Sequence, residues 1–284
     1  MSSKNISESD LIILKQIAGE IRISIVQCLA EAKSGHTGGS LGLTDIFTSL
    51  YFNLLSHSPK NPKRHDRDRL ILSIGHVAPV LYATLAKAGY FPEEELLSLR
   101  KLNSRLQGHP GRDHGLPGLE LSAGSLGQGL SVGVGMSLAA KIEEHSHIIC
   151  VILGDGELQE GSVWEAAMSA SHHKLNNLIA IVDRNYVQID GKVSDVMEIE
   201  PLVDKWKAFG WRVLECDGNN IEEFINTFNL AKSKCNSPSV IIAKTQMGKG
   251  IQSIEGDYKW HGRAPSKEEA NLFIDEIRSN LKSE

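Results

Sequence analysis

The chain has 284 residues, 41% of them hydrophobic and 6% aromatic, with a formal charge of −5. That length accommodates one large α/β domain or two small ones, and the mild acidity gives no reason to expect nucleic acid or a membrane surface as a partner. No segment approaches the about 20 apolar residues of a membrane helix. The polar opening Met1-Ser2-Ser3-Lys4-Asn5 lacks the apolar core of a secretory signal. Cys28, Cys150, Cys216 and Cys235 form no Cys-x-x-Cys pair, as expected of reduced thiols in a cytoplasmic protein.

In chain order, residues 11–32 place Leu11, Leu14, Ile17, Ala18, Ile21, Ile25 and Leu29 at helical spacing and predict a long amphipathic helix. Ser34-Gly35 ends it. A second helix is expected over 43–54, a basic loop over 56–69, and a short strand over 70–73 that ends at Gly75-His76. Residues 79–88 predict a helix with a proline at its start, where a helix tolerates one. Residues 103–122 are rich in Gly, Pro and His and too long for a simple connector, which marks a functional loop. Residues 125–144 predict a helix containing Gly127, Gly129, Gly133 and Gly135. Each glycine costs roughly 0.5–1 kcal/mol against alanine, so close approach of a backbone or ligand is expected there. Strands follow over 147–153, 178–182, 211–216 and 239–244, with helices over 163–173, 201–209, 221–233 and 266–282. This alternation predicts one α/β domain spanning 1–284, a doubly wound parallel sheet flanked by helices.

Two strand tips carry the chemistry. The apolar run 147–153 ends at Gly154-Asp155-Gly156, and the run 178–182 ends at Asp183-Arg184-Asn185. Joined by a crossover helix, these tips converge where open parallel sheets bind ligands. Asp155 and Asn185 offer a carboxylate and a carboxamide oxygen to a divalent metal, magnesium above all, with calcium or manganese as alternatives. Gly156 has no side chain to hold a phosphate away from its N–H.

The eleven histidines fall into two groups. His36, His76, His109 and His261 each lie beside a glycine in a predicted loop, a setting suited to proton exchange with a hydroxyl-bearing substrate. His57, His65, His114, His145, His147, His172 and His173 lack it and read as structural or surface residues. His172 and His173 are adjacent helical positions that do not face one way.

Lys33-Ser34-Gly35-His36, Ser73-Ile74-Gly75-His76, Gly108-His109-Pro110, Ser125-Leu126-Gly127-Gln128-Gly129, Gly154-Asp155-Gly156-Glu157-Leu158-Gln159-Glu160-Gly161 and Trp260-His261-Gly262 stand in an order and rough spacing that resembles the amino-terminal half of a transketolase. The resemblance covers nearly the whole chain and implies thiamine diphosphate as cofactor. It implies that Asp155, Asn185 and the carbonyl of Val187 hold the metal. Gly156, His76 and His261 would contact the diphosphate, and Gly124, Ser125 and Leu126 would line the pyrimidine end. His36 and His261 would act on the C3 hydroxyl of the donor ketose, His109 would bind its C1 hydroxyl, and Glu160 would face a subunit interface. Two positions depart from the family pattern: Arg184 precedes Asn185, and Met247 stands where several transketolases carry a lysine near the cofactor, with Lys249 an uncertain substitute.

Nothing after His261 resembles the family's pyrimidine-binding or carboxyl-terminal domains, and no acidic residue has the setting of the glutamate that activates the aminopyrimidine. The resemblance therefore implies one subunit of a split transketolase, acting on sugar phosphates with a partner chain, most simply as a heterotetramer. Two readings stand beside it. One is a subunit of another thiamine diphosphate enzyme, of the 2-oxo acid dehydrogenase or deoxyxylulose phosphate synthase type. The other is a non-catalytic relative that keeps the cofactor fold.

Overall fold

The structure is a computed structural model that describes residues 6–233 and 235–283. Its strands are β1 (Arg69–Leu72), β2 (Ile149–Gly154), β3 (Leu178–Arg184), β4 (Val187–Gln188), β5 (Gly191–Lys192), β6 (Arg212–Asp217) and β7 (Ser239–Lys244). Five of them form a wholly parallel sheet in the order β1-β2-β3-β7-β6, while β4 and β5 pair as a separate antiparallel hairpin. Every residue of β2 and β3 is buried. This is why both read as unbroken apolar runs rather than alternating ones.

The helices are α1 (Glu8–Ala32), α2 (Thr37–Gly42), α3 (Thr44–Ser49), α4 (Ala78–Lys87), α5 (Gly129–Ile142), α6 (Gly161–His172), α7 (Val193–Val196), α8 (Leu202–Ala208), α9 (Ile221–Lys232) and α10 (Lys267–Ser283). Alternate residues along the strands feed two cores. Leu70, Leu72, Cys150, Ile152, Ile179 and Ile181 pack with α1, α3, α4, α9 and α10 on one face. Ile71, Val151, Leu153, Ala180, Val182 and Val240 pack with α5, α6 and α8 on the other. The steps β2 to β3 and β6 to β7 cross the sheet in opposite directions, so right-handed connections put α6 and α9 on opposite faces. The doubly wound sheet expected from sequence is the fold observed.

That winding opens the crevice. The chain leaves β1 and β7 toward α4 and α10 on one face, but leaves β2 and β3 toward α6 and α8 on the other. Between such diverging exits the carboxyl tips stay uncovered. The register Gly154↔Asp183 and Asp183↔Ala243 sets the ends of β2, β3 and β7 side by side.

Three expectations change. The helix expected over 125–144 begins at Gly129, because Gly127 adopts φ 83 and turns its N–H to Glu157 Oε1 at 2.7 Å. The helix expected over 43–54 is preceded by α2, whose N-cap is His36, and ends in a π-turn over Leu50–Leu54. His36 thus sits at a helix start, not in an extended loop. The glycine explanation holds at Gly129 and Gly133, where an added Cβ would lie 2.4 Å from Ser73 Cβ and 2.6 Å from Val151 Cγ2. It fails at Gly135, which faces open space.

Candidate active site

One wall of the crevice is built from the tips of β2 and β3. Asp155 is 2% exposed. Its Oδ1 accepts from Gly156 N at 2.8 Å, and its Oδ2 accepts from Tyr186 N at 2.7 Å and from the Arg184 guanidinium at 3.0 Å. Burial raises the Asp155 pKa, opposed by the Tyr186 N–H and by Arg184. Arg184 also donates to Glu200 at 2.9 Å and stacks over the Tyr186 ring at 4.2 Å. Asn185 donates to Asp183 Oδ2 at 2.8 Å and accepts from Val187 N at 3.0 Å. Between them Tyr186 has φ 67, so Asn185 and Val187 lie on a tight left-handed turn. Asp183 is fully buried, hydrogen-bonded to Thr245 Oγ1, and pushed up to about 7 by burial. Beneath this wall the buried Glu157 accepts from Ser73 Oγ and Gly127 N at Oε1 and from Gly154 N at Oε2.

The opposite wall is imidazole. The rings of His36 and His76 are 5.0 Å apart, those of His76 and His261 are 5.1 Å apart and stacked, and those of His36 and His261 are 5.6 Å apart and edge-on. Burial, then the neighbouring histidines and (for His36) Arg100, push His36 down to about 4 and His76 down to about 3. Burial lowers His261 too. All three are therefore neutral near pH 7, each with one ring nitrogen free of a proton. The Nδ1 atoms of His36 and His261 are buried with no hydrogen-bond partner, which is costly unless a ligand supplies one.

Between the walls lies a cavity of about 330 Å³. Of the residues singled out from sequence, His36, His76, Gly124, Leu126, Asp155, Gly156, Asn185, Val187 and His261 line it, and Glu160 stands at its exposed edge. Ser125 and His109 are exposed and do not line it. His109 stays close, for a Cβ on Gly124 would sit 3.8 Å from its ring. Met247 forms part of the wall, packed so tightly on α2 that a Cβ on Gly38 would sit 2.5 Å from its Cγ. Lys249 does not replace the family's lysine, since its Nζ lies 3.8 Å from Glu255 in a different cleft.

Sequence reasoning missed Glu157, Arg184, Gln159, Gln188 and Ile189. The first two are signalled only by three-dimensional pairing. Gln188 and Ile189 belong to the β4–β5 hairpin, which Asp190-Gly191 announces as a turn. Among the described residues no three His, Cys, Asp or Glu side chains form a ready-made metal cluster.

A wholly parallel sheet with an Asp–Asn pair at adjacent strand tips, facing a histidine wall, defines a protein that binds a phosphate-bearing cofactor across its crevice. Residues 13–281 match the family "Transketolase, thiamine diphosphate binding domain". The chain belongs to the transketolase family. It is 41% identical over 260 residues to an apulose-4-phosphate transketolase subunit from Phocaeicola vulgatus, covering 92% of each chain. It is also 41% identical over 264 residues to 6-deoxy-6-sulfo-D-fructose transketolase subunit SqwG of Clostridium sp., covering 93% of this chain and 96% of that one. Human transketolase is 39% identical over 271 residues, which are 95% of this chain and 43% of that one. Among solved structures, the transketolase of Campylobacter jejuni superposes with a TM-score of 0.88 at 36% identity, over 95% of this chain and 43% of that one. The chain thus spans less than half the length of the solved transketolases it matches, yet nearly the full length of relatives named as subunits.

Proposed function

We propose that this chain is the diphosphate-binding subunit of a split, thiamine diphosphate-dependent transketolase, moving a two-carbon ketol unit from a ketose phosphate to an aldose phosphate in the cytoplasm. The observation that carries it is the meeting of Asp155, Asn185 and Gly156 with His36, His76 and His261 around one cavity. The imidazole wall favours a polyhydroxylated donor over a 2-oxo acid, which lacks hydroxyls for these groups to work on.

The donor set fits a divalent cation held jointly with a diphosphate. Asp155 Oδ1 and Asn185 Oδ1 each accept a single N–H and keep acceptor capacity. One carboxylate and one carboxamide, with the Val187 carbonyl, would hold the cation and leave its other oxygen ligands to come from phosphate and water. Magnesium suits that set. Gly156, whose N–H is engaged by Asp155 but which carries no side chain to block a phosphate, and His76 would meet the diphosphate, and Gly124, Ser125 and Leu126 the pyrimidine end. When bound, thiamine diphosphate supplies the carbon that carries the ketol unit. His36 and His261, held neutral, would accept the donor's C3 hydroxyl proton at a ring nitrogen and return it to the acceptor. His109 would bind the C1 hydroxyl, and Glu160 would face the partner.

The partner would carry the pyrimidine-binding and carboxyl-terminal domains, most simply in a heterotetramer. Support comes from the similarly short relatives, whose names describe them as transketolase subunits. The test is ketol transfer from xylulose 5-phosphate to ribose 5-phosphate with thiamine diphosphate and magnesium, with the chain alone and with the product of an adjacent reading frame. Activity in the mixture and weak or no cofactor binding by the chain alone are expected. Turnover by the isolated chain overturns the split assembly.

A further inference from the structure

Arg100 has φ 60, a backbone conformation that a non-glycine residue holds only where its surroundings impose it. Its N–H donates to Leu106 O at 2.9 Å, closing a short loop that returns the chain to Gly108. The guanidinium donates to Gly108 O at 3.5 Å, and a Cβ on Gly108 would sit 2.6 Å from its Cζ. A Cβ on Gly35 would sit 3.7 Å from its Nε. Gly35 and Gly108 directly precede His36 and His109. The Tyr82 hydroxyl, on α4, donates to Gln107 O at 3.0 Å and fixes the same loop from the helix that follows His76.

We propose that Arg100 is a positioning residue for the ketol-transfer site: its guanidinium, packed against Gly108 and lying beside Gly35 at the exposed edge of the site, sets the spacing between His36 and His109. The inference rests on the transketolase reading, because it requires both histidines to act on one sugar. A planar guanidinium fills this seat and reaches the Gly108 carbonyl, whereas a lysine would bring charge without the plate. Its charge acts on the same pair. After burial, the groups that lower His36 are His261, Arg100 and His109, and the one that lowers His109 is Arg100.

The experiment is the pH profile of kcat/KM for the donor ketose, measured on the complex with its partner chain. Arg100→Met should lower kcat/KM by about ten- to a hundredfold and move the acid limb to higher pH. Arg100→Lys should restore the acid limb but not the rate. Gly108→Ala displaces the guanidinium while keeping its charge, and should lower the rate with an unchanged thermal midpoint. Wild-type kcat/KM in both Arg100→Met and Gly108→Ala overturns the inference, as does full recovery of rate in Arg100→Lys. Full activity in His36→Ala or His109→Ala overturns the underlying reading of the histidines. That outcome is distinct from loss in those two variants with none in the Arg100 and Gly108 variants, which defeats the inference alone.

Discussion

The two walls of the crevice differ in how their polar atoms are satisfied. On the strand-tip wall Asp155, Asp183, Asn185 and Glu157 are held by backbone N–H groups and neighbouring side chains, and Arg184 balances charge. On the histidine wall two buried ring nitrogens have no partner. The first wall is fixed by the chain itself and presents a rigid oxygen pair. The second keeps hydrogen-bonding capacity that the chain itself does not satisfy. Under the proposed function, the strand tips would hold the cation and diphosphate, and the histidine wall would meet the diphosphate through His76 and the substrate through His36 and His261.

If the strand-tip wall is the cofactor side, Asp155→Asn should have the largest effect of any single change. The amide keeps the shape of the carboxylate but removes its charge, and it leaves the 5%-exposed Arg184 with Glu200 as its remaining ion-pair partner. Affinity for magnesium and thiamine diphosphate together should fall more than about a hundredfold, since even outer-shell changes cost ten- to a hundredfold. Titration calorimetry on the complex reads it, and unchanged affinity would place the cation elsewhere.

On the histidine wall the expected effect is smaller and depends on pH. His36 and His76 bind protons below about 4 and about 3 when folded, against the ordinary 6.5. Between those values the unfolded chain binds more protons than the folded one, so stability is full above pH 6.5 and declines as pH falls toward the folded values. From pH 6.5 to 5 each such group takes away on the order of 2 kcal/mol. Urea unfolding at pH 7 and pH 5 should show the decline, and His76→Gln should reduce it. An equal decline in the variant assigns the acid sensitivity to other groups.

How much of each wall could be read from sequence follows from the range of its contacts. Asp155, Gly156 and Asn185 end apolar runs, and a strand tip is a local pattern. Glycine neighbours singled out His36, His76 and His261, which the structure gathers around one cavity, and also His109, which does not line it. The pairing of Arg184 with Asp155 and Glu200, and of Glu157 with Ser73 and Gly127, joins positions far apart in the chain. No local spacing marks such pairs. The opened turn at Gly127 escaped for the same reason: a glycine-rich run has no propensity that distinguishes a helix from a turn whose N–H must reach Glu157.

The glycines of α5 supply the last comparison, ending in the smallest effect, and two positions in the same helix should respond with opposite sign. Gly129 N donates to Ser73 Oγ at 3.0 Å, and Ser73 Oγ in turn donates to Glu157. A methyl at Gly129 would sit 2.4 Å from Ser73 Cβ and 2.9 Å from its Cα, so the end of β1 itself must shift. Gly129→Ala should destabilise by about 1–3 kcal/mol, the usual cost of overpacking a well-filled core. It should also weaken cofactor binding, because Ser73 leads directly to Ile74-Gly75-His76 and Glu157 follows Gly156. Gly135 meets nothing within 4 Å and lies in the interior of the helix. Gly135→Ala should therefore stabilise the isolated chain by about 0.5–1 kcal/mol through restricted unfolded-state freedom. Denaturant titrations of both variants separate the two cases. Destabilisation at both positions would mean that the exposed side of α5 is already covered in the unliganded chain, as by self-association. Stabilisation at both would dissolve the link from Gly129 through Ser73 to the cofactor wall.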